Sequence, residues 1–542
     1  MADQRRAGGA RPAFPPAPAG LRLRPDESLQ TLDNGQVLLG GSPFRLLRLA
    51  PAGARQVARW WDGEPVPATP AARALARRLL ETGMAHPDMR HPAAAPDGAA
   101  PALPPAPGTD QVTVVIPVRD RTAALARCLV GCAGLQVIVV DDGSADPAAV
   151  AAAAAAGGAR CLRLPASVGP GGARNAGLAE VSTPFVAFLD SDCVPRPGWL
   201  DPLLPHFADP AVAAAGPRIV AAPPSEPGPA PAQQPGLTQP GLDQPGSGQP
   251  APGQPAPGQP GQRPPAPGER GRWLARYEGD RSALDMGPTP SIVRPGARVP
   301  YLPAAALVVR RAVAGAGFAA DMPVGEDVDF VWRLAEAGWQ VRYEPAAEVG
   351  HAHRVRLGAW FGRRRDYGSS AAPLELRHPG RVPAFAMSGW SALGWLAVLG
   401  GRPVTGASIM AGTTALLARR LAPVTEDAWP VAVRLAGMGN LMAGRLLGSA
   451  VARTWWPVAV PAAIAVRRAR LPLAALVLAA PVLDWRDRRP DLDPARYVVA
   501  RLLDDLAYSL GVWEGCLRHR TVRPLLPALW WWSRRSELGG PG

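Results

Sequence analysis

The sequence predicts an α/β protein built on a mostly parallel sheet, with a small module before it and an apolar helical tail after it. Three observations carry this reading. Short, continuous apolar runs alternate with helix-like stretches from residue 111 to 220, the pattern of strands buried on both faces and joined by helices. One run, Phe185-Val186-Ala187-Phe188-Leu189, stops on Asp190-Ser191-Asp192, at the strand end where open α/β sheets bind ligands. The composition then shifts twice, to a Pro/Gln/Gly stretch at 223–268 and to an apolar, arginine-rich region beyond 380.

The chain has 542 residues, enough for two to four domains at ~150 residues each. Hydrophobic residues make up 47% of it, which is sufficient for a real core. The formal net charge is +14, yet there is no lysine, and 66 Pro and 59 Gly accompany the arginines. The basic charge is thus part of a chain-wide bias toward Ala, Arg, Pro and Gly and does not point to nucleic acid. Anionic diphosphates and anionic lipid headgroups remain as expected partners. Five scattered cysteines form no disulfide framework and fit a reducing compartment. Cys128 and Cys132 lack further ligands for a zinc site and read as small buried hydrophobes. Arg5 and Arg6 precede no apolar segment, so no signal peptide is expected.

Residues 1–20, rich in Ala, Pro and Gly, are expected to be disordered. From 21 to 90 the pattern sharpens. Asn34-Gly35 between apolar residues signals a hairpin. Pro51 opens a helix through Val57, Trp60 and Trp61 that stops at Gly63. Thr69-Pro70 reads as an N-cap followed by Pro at N1, and Gly83 as the stop of a second helix carrying Leu75, Leu79 and Leu80. Hairpin, helix, helix is a winged-helix-like order. It resembles the PqqD-like modules found beside enzymes that modify ribosomal peptides, which implies a peptide added as an edge strand. A packing module with no ligand fits the same pattern. Residues 91–110 read as a linker.

The domain expected over 111–380 opens with the strand Val112-Thr113-Val114-Val115-Ile116, ending at Pro117, and a helix over 122–130. Val137-Ile138-Val139-Val140 is a second strand and ends on Asp141-Asp142, carboxylates that suit the base and ribose of a nucleotide. A helix over 148–156 and a strand at 161–164 follow. No Gly-X-Gly-X-X-Gly follows the first strand, which excludes the nicotinamide and flavin fingerprint. Instead Gly169-Pro170-Gly171-Gly172-Ala173-Arg174 lets backbone approach a ligand and puts Arg174 in the first turn of a helix, where Arg can pair with phosphate. Asp190-X-Asp192 can hold a hard divalent cation and, through it, a diphosphate. By itself it could equally be a helix cap or turn.

Val-Ile-Pro at 115–117, Val-Asp-Asp-Gly-Ser at 140–144, Gly-Gly-Ala-Arg-Asn-Ala-Gly at 171–177 and Leu-Asp-Ser-Asp at 189–192 come in the order and spacing that resemble the inverting family 2 glycosyltransferases of GT-A fold. The resemblance implies a GT-A, Rossmann-like domain. It implies a nucleotide sugar held by Pro117, Asp141, Asp142, Arg174 and Asp190, and Mn2+ or Mg2+ held by Asp190 and Asp192. Gly325-Glu326-Asp327-Val328-Asp329 matches the family's acceptor-site helix start, which makes Asp327 the general base, with Glu326 and Asp329 on the acceptor side. A helix start with three acids could also serve only the helix dipole. His351 is expected to complete the metal site. His353, two residues on, points to the opposite side if the chain is extended. Arg363-Arg364-Arg365 reads as a solvated face, with contact to headgroups or diphosphate as the alternative.

The interruption at 223–268 has no periodic apolar residues and reads as a disordered insertion near the acceptor side. Beyond 380, Pro383–Gly401 is 19 residues without charge, at the lower limit for a spanning helix. Thr454–Val466 and Leu471–Leu483 are shorter apolar pieces flanked by arginine, and Trp455-Trp456 and Trp530-Trp531-Trp532 suit a membrane interface. Residues 381–542 are therefore expected to be membrane-associated helices, spanning or lying in the interface, with a soluble alanine-rich helical domain as the alternative. The architecture as a whole, with the run from Gly325 to Pro379, resembles the glycosyltransferases of mycofactocin biosynthesis. That implies repeated transfer of glucose from UDP-glucose to a peptide-derived redox cofactor or its precursor, at the cell membrane with the site facing the cytoplasm. A transferase extending a lipid-linked or cell-wall glycan, and a peptide-binding scaffold with a vestigial transferase domain, are the other two readings.

Overall fold

The computed structural model describes residues 15–89, 103–222, 272–353 and 355–531. The stretch 223–268 lies outside the described residues, as do Trp532 and most of the segments read as a disordered start and a linker. The described end of the start segment differs from expectation. Ala17 is fully buried, and the Arg73 Nε donates to its carbonyl at 2.8 Å. The chain from Pro15 to Gly20 is packed rather than loose because it closes one side of the first module.

That module runs β1 (Leu23–Pro25), β2 (Gln30–Leu32), β3 (Val37–Gly40), β4 (Arg45–Arg48), α1 (Pro51–Trp61), α2 (Pro70–Thr82) and β5 (Ala85–Pro87). Asn34 and Gly35 adopt positive φ between β2 and β3, which are paired antiparallel. β4 extends this to a three-stranded meander, and β1 pairs with β5. Trp60, Leu79 and Leu80 fill the core between helices and strands. Gly83 ends α2 in the left-handed conformation, whereas the Thr69 side chain makes no capping bond. The module is fastened to the rest of the chain by two ion pairs. Arg77 holds Asp209 through two hydrogen bonds of 2.7 and 2.8 Å, and Arg298 holds Asp26 at 2.8 Å.

The central unit contains β6 (Val112–Val118), α3 (Thr122–Val130), β7 (Gln136–Asp141), α4 (Pro147–Ala156), β8 (Arg160–Arg163), α5 (Gly169–Ala179), β9 (Phe185–Leu189), β10 (Cys193–Pro195) and β11 (Val212–Ala221). It continues with α6 (Arg272–Arg281), β12 (Ser291–Ile292), β13 (Ala306–Arg310), α7 (Glu326–Glu336), β14 (Gln340–His351), α8 (Leu357–Ser369) and α9 (Ala371–Arg377). The strand order is β10-β14-β11-β13-β9-β6-β7-β8, with β12 on β14. Only the β9-β6-β7-β8 half is parallel throughout. β13 lies antiparallel between β9 and β11, so the sheet is mixed rather than mostly parallel. Alternate residues of β6 and β9 feed two cores, Val114, Ala187 and Leu189 on one face and Val115, Val186 and Phe188 on the other. Cys128 and Cys132 are buried in the first core, as small hydrophobes. The chain moves outward from β6 through β7 to β8 and then returns to β9 on the other side of β6. That reversal opens a crevice at the C-terminal ends of β6 and β9.

The remaining elements are β15 (Ala386–Ser388), α10 (Gly389–Leu399), α11 (Pro403–Leu421), α12 (Ala428–Arg453), α13 (Trp456–Ala465), α14 (Arg470–Arg488), α15 (Pro494–Arg518) and β16 (Ala528–Trp530). Among the described residues no helix is long and apolar enough to cross a membrane. Pro383–Gly401, expected as a marginal span, instead divides into a strand paired with β16 and an 11-residue helix. α15 turns back onto α8, and Gly368, Gly511 and Gly515 stand where a Cβ would collide with the facing backbone. The two helices therefore meet main chain to main chain, which residues with side chains could not do.

Arg77 and Asp209 are both almost fully buried, so removing one strands the other charge. Arg77→Ala is expected to cost about 3–5 kcal/mol. Chemical denaturation should show the loss, and limited proteolysis should show the first module released. Unchanged stability would mean that the bridge is not what holds the module.

Candidate active site

The crevice is the mouth of a cavity of about 1240 Å³. Pro117 and Val118 from β6, Asp190 and Asp192 beyond β9, and Glu326 and Asp327 at the start of α7 line it. Arg174 on α5 joins two of these groups. Its Nη2 donates to Asp190 Oδ1 at 2.6 Å and its Nη1 to Glu326 Oε1 at 2.8 Å. Burial opposes the charge on Arg174, but Asp190 and Glu326 outweigh it and keep the guanidinium charged. α5 is positioned by Asp142, whose carboxylate accepts from the backbone N–H of Val168 at 2.6 Å and of Gly169 at 3.1 Å.

α7 begins where it does because Gly325 takes φ +85°, a conformation that turns the chain sharply into the helix. Glu326 is buried, and burial with the neighbouring Asp327 charge pushes its carboxyl up to about 7, against the pull of Arg174. Asp327 is half-buried at the cavity wall. Its Oδ2 accepts from Ala304 N at 3.2 Å and its Oδ1 from Val328 N at 2.8 Å. Burial raises its pKa as well.

On the opposite wall His351 Nε2 stands 3.5 Å from Asp192 Oδ1, and Arg121 pairs with Asp192 Oδ2. Burial opposes ionisation of Asp192, but His351 and Arg121 overcome it and hold the carboxyl well below the usual range. Among the described residues no three His, Cys, Asp or Glu side chains converge into a ready-made metal cage. A hard divalent ion bound with a diphosphate, however, needs only one or two carboxylates, with phosphate and water completing the shell. The pair Asp192 and His351 fits that requirement, and Asp190 beside them has only its Oδ1 engaged by Arg174.

Four expectations need correction. Asp141 does not line the cavity. Its carboxylate accepts from Ser144 N at 2.9 Å and pairs with Arg163, which ties β7 to β8. Asp329 is fully buried on the far side of α7 and pairs with Arg333, Arg377 and His378, so it supports the helix rather than an acceptor. The arginine triplet is not a solvated face. Arg364 is buried against Glu278 and Asp504, Arg363 lines the cavity, and only Arg365 points outward, to Glu514. His351 and His353 do not diverge either: their ring centroids are 5.6 Å apart and both line the cavity.

No local sequence pattern marks the cavity's other wall. Glu278 from α6 accepts from Trp360 Nε1 at 2.7 Å and pairs with Arg364, both on α8. Tyr277 donates to Asp504 on α15 at 2.9 Å. Burial raises the Glu278 carboxyl, and burial with the His351 and Arg364 charges brings His353 down to about 4. Arg453 from α12 and Tyr508 from α15 also reach this wall, with the guanidinium 3.7 Å from the ring centre. These residues come from four helices far apart in the chain, so no spacing rule could have gathered them.

The profile described as Glycosyl transferase family 2 matches residues 113–250, and Glycosyl transferase family group 2 matches 258–466. The pre-mycofactocin glycosyltransferases of two Mycobacterium tuberculosis strains, H37Rv and CDC 1551, are each 37% identical over 541 residues, covering 94% of this chain and 98% of theirs. The chain belongs to glycosyltransferase family 2. It is a transferase with a GT-A-like α/β fold built on a mixed sheet. Two solved structures show partial likeness. A mannosyltransferase of Pyrobaculum calidifontis in complex with GDP-Man and Mn2+ is 16% identical, covers 66% of this chain and 90% of its own, and has a TM-score of 0.33. Glucosyl-3-phosphoglycerate synthase of Mycobacterium tuberculosis, in complex with Mn2+, UDP and glucosyl-3-phosphoglycerate, is 16% identical, covers 49% and 79%, and has a TM-score of 0.28.

The Glu326 carboxyl lies at about 7 in the folded family 2 domain against 4.5 for a free side chain. Between these values the folded state holds a proton that the unfolded chain has lost, so stability falls as pH rises across that window. Glu326→Gln is expected to flatten this part of the profile. Urea unfolding of both proteins on either side of the window checks it. An equal slope in the variant would show that Glu326 is ionised throughout.

Proposed function

We propose that the protein transfers a hexose, glucose from UDP-glucose, to the peptide-derived precursor of mycofactocin, repeatedly and with inversion. The observation that carries the reading is Asp327, a carboxylate of raised pKa at the wall of the same cavity that holds the strand-end carboxylates. The name of the relatives that match over nearly the whole chain supports the acceptor. The cavity of about 1240 Å³ exceeds the ~300–1,000 Å³ of ordinary ligand pockets, which suits an acceptor that grows.

In this mechanism Pro117 and Asp142 flank the nucleotide, and Arg174 holds Asp190 at the donor side and Glu326 at the acceptor side. Asp192, His351 and Asp190 would hold a divalent ion, Mn2+ or Mg2+, whose chemistry there would be to neutralise charge on the leaving diphosphate. Asp327 takes the proton from the acceptor hydroxyl as its oxygen bonds to the anomeric carbon. The bond to the diphosphate breaks on the opposite face, so the configuration inverts. A carboxyl raised by burial binds that proton more readily than an exposed one, and Glu326 stays with Arg174. The first module is proposed to be a PqqD-like, winged-helix-like peptide binder. Its β4 pairs only with β3 among the described residues, which leaves one edge for an added strand.

Asp327→Asn is expected to lower transfer by about 10²–10⁴-fold while nucleotide-sugar binding survives. Mass spectrometry of the peptide-derived acceptor with UDP-glucose and Mn2+ reads the transfer, as a ladder of hexose additions for the wild type. Full activity in the variant would remove Asp327 as the base. A ladder on a polyprenyl-phosphate lipid alone would move the protein to envelope glycan synthesis. Asp192→Ala is expected to abolish the Mn2+ dependence of UDP binding in calorimetry, and an unchanged dependence would place the ion elsewhere.

A further inference from the structure

α11, α12 and α14 pack side by side, α12 in the middle. Gly448 of α12 meets Leu476 and Ala480 of α14, and Arg445 pairs with Asp487 at 2.7 Å, so these two run antiparallel. The inner sides of the layer are buried against α10, α15 and the first module. The outer sides are not polar. α14 exposes Leu471, Ala474, Ala475, Leu478, Ala479 and Val482, a helical stripe without a charge, and Leu471 is 82% exposed. α12 exposes Val433, Met438, Leu441, Met442 and Leu446, with Leu441 at 63%. α11 adds Val404 and Leu416, and α13, joined to the same layer, buries none of its residues. Scattered apolar residues need no explanation on a surface, but aligned stripes on adjoining helices do.

Charge says what covers them. From Pro403 to Arg489 there are eleven arginines and four acids. Arg467, Arg468 and Arg470 stand exposed where α13 meets α14, Arg419 ends α11, and Arg434 lies beside the α12 stripe. Of the acids, Asp487 is paired with Arg445 and Asp484 with Arg281, and Glu426 and Asp427 sit at the α11–α12 turn. A second copy would bring the same cationic rim against itself, in a chain of net charge +14. An apolar face rimmed by arginine fits an anionic bilayer, with stripes in the acyl boundary and guanidinium groups at the phosphates. Since no described helix can cross a membrane, the contact is one of helices lying in the surface.

We propose that the outer face of α11, α12 and α14 docks onto an anionic lipid bilayer. The inference is independent of which acceptor the transferase uses. The test is co-sedimentation of the full chain with vesicles of phosphatidylcholine alone or phosphatidylcholine with phosphatidylglycerol. Binding is expected to the second kind, weaker in high salt. Leu441→Asp combined with Leu478→Asp should weaken it about tenfold or more with circular dichroism unchanged, since both side chains are exposed. Arg467→Gln with Arg468→Gln should weaken it without touching the stripes. Binding to neither vesicle, or binding indifferent to both pairs of substitutions, would overturn the proposal. So would a dimer in light scattering that the Leu441→Asp, Leu478→Asp variant dissolves, because the face would then belong to a second copy.

Discussion

A guanidinium taken out of water must be met by negative charge, and Arg174 is met twice. It reaches Asp190, 16 residues away, and Glu326, 152 residues away, and its guanidinium carbon lies 5.3 Å from the centre of the Phe318 ring. One side chain thus fixes the end of β9 and the start of α7 relative to each other. Asp327 follows Glu326 directly and inherits that placement. Arg174 is fixed in turn because Asp142 captures the first N–H groups of α5. The order of constraint runs from β7 to α5, through one cation, to both sides of the cavity.

This explains which parts of the molecule were legible in the sequence. The apolar run into Asp190-Ser191-Asp192, the glycine-rich entry to α5 and the Gly325 turn into α7 are local patterns, and each lies where its pattern puts it. Asp141 and Asp329 carry the same local signals as Asp142 and Asp327 but found cations in Arg163, Arg333 and Arg377. A carboxylate's neighbours in sequence do not reveal its partners in space. The antiparallel β13 was unreadable for a related reason: a buried strand has the same apolar run in either direction.

The tail shows the limit from the other side. Apolar composition there reads as a membrane signal, but α10 ends at Leu399 and α13 at Ala465, and the longer described helices are not apolar enough to span. What composition could not separate was the buried half of each helix from its exposed half. α12 buries Ala443, Gly444, Leu447 and Ala450 and exposes Leu441, Met442 and Leu446 in the same few turns. Small residues dominate the inward side, with Leu447 among them, because the helices approach closely.

The glycine contacts between α8 and α15 bear on how the protein comes off the ribosome. α15 is the last described α-helix, and it supplies Arg501, Asp504 and Tyr508 to a cavity that Arg453 of α12 and Arg488 of α14 also line. The central sheet ends at His351 and α15 begins at Pro494, so the sheet can fold with the 142 residues between them still to be made, and the cavity lacks this wall until α15 arrives. The wait is long, and through it the backbone of α8 at Gly368 is bare toward the place that α15 will take. A chain stopped before Pro494 would lack that wall, so the cavity is bounded on this side only once α15 is in place.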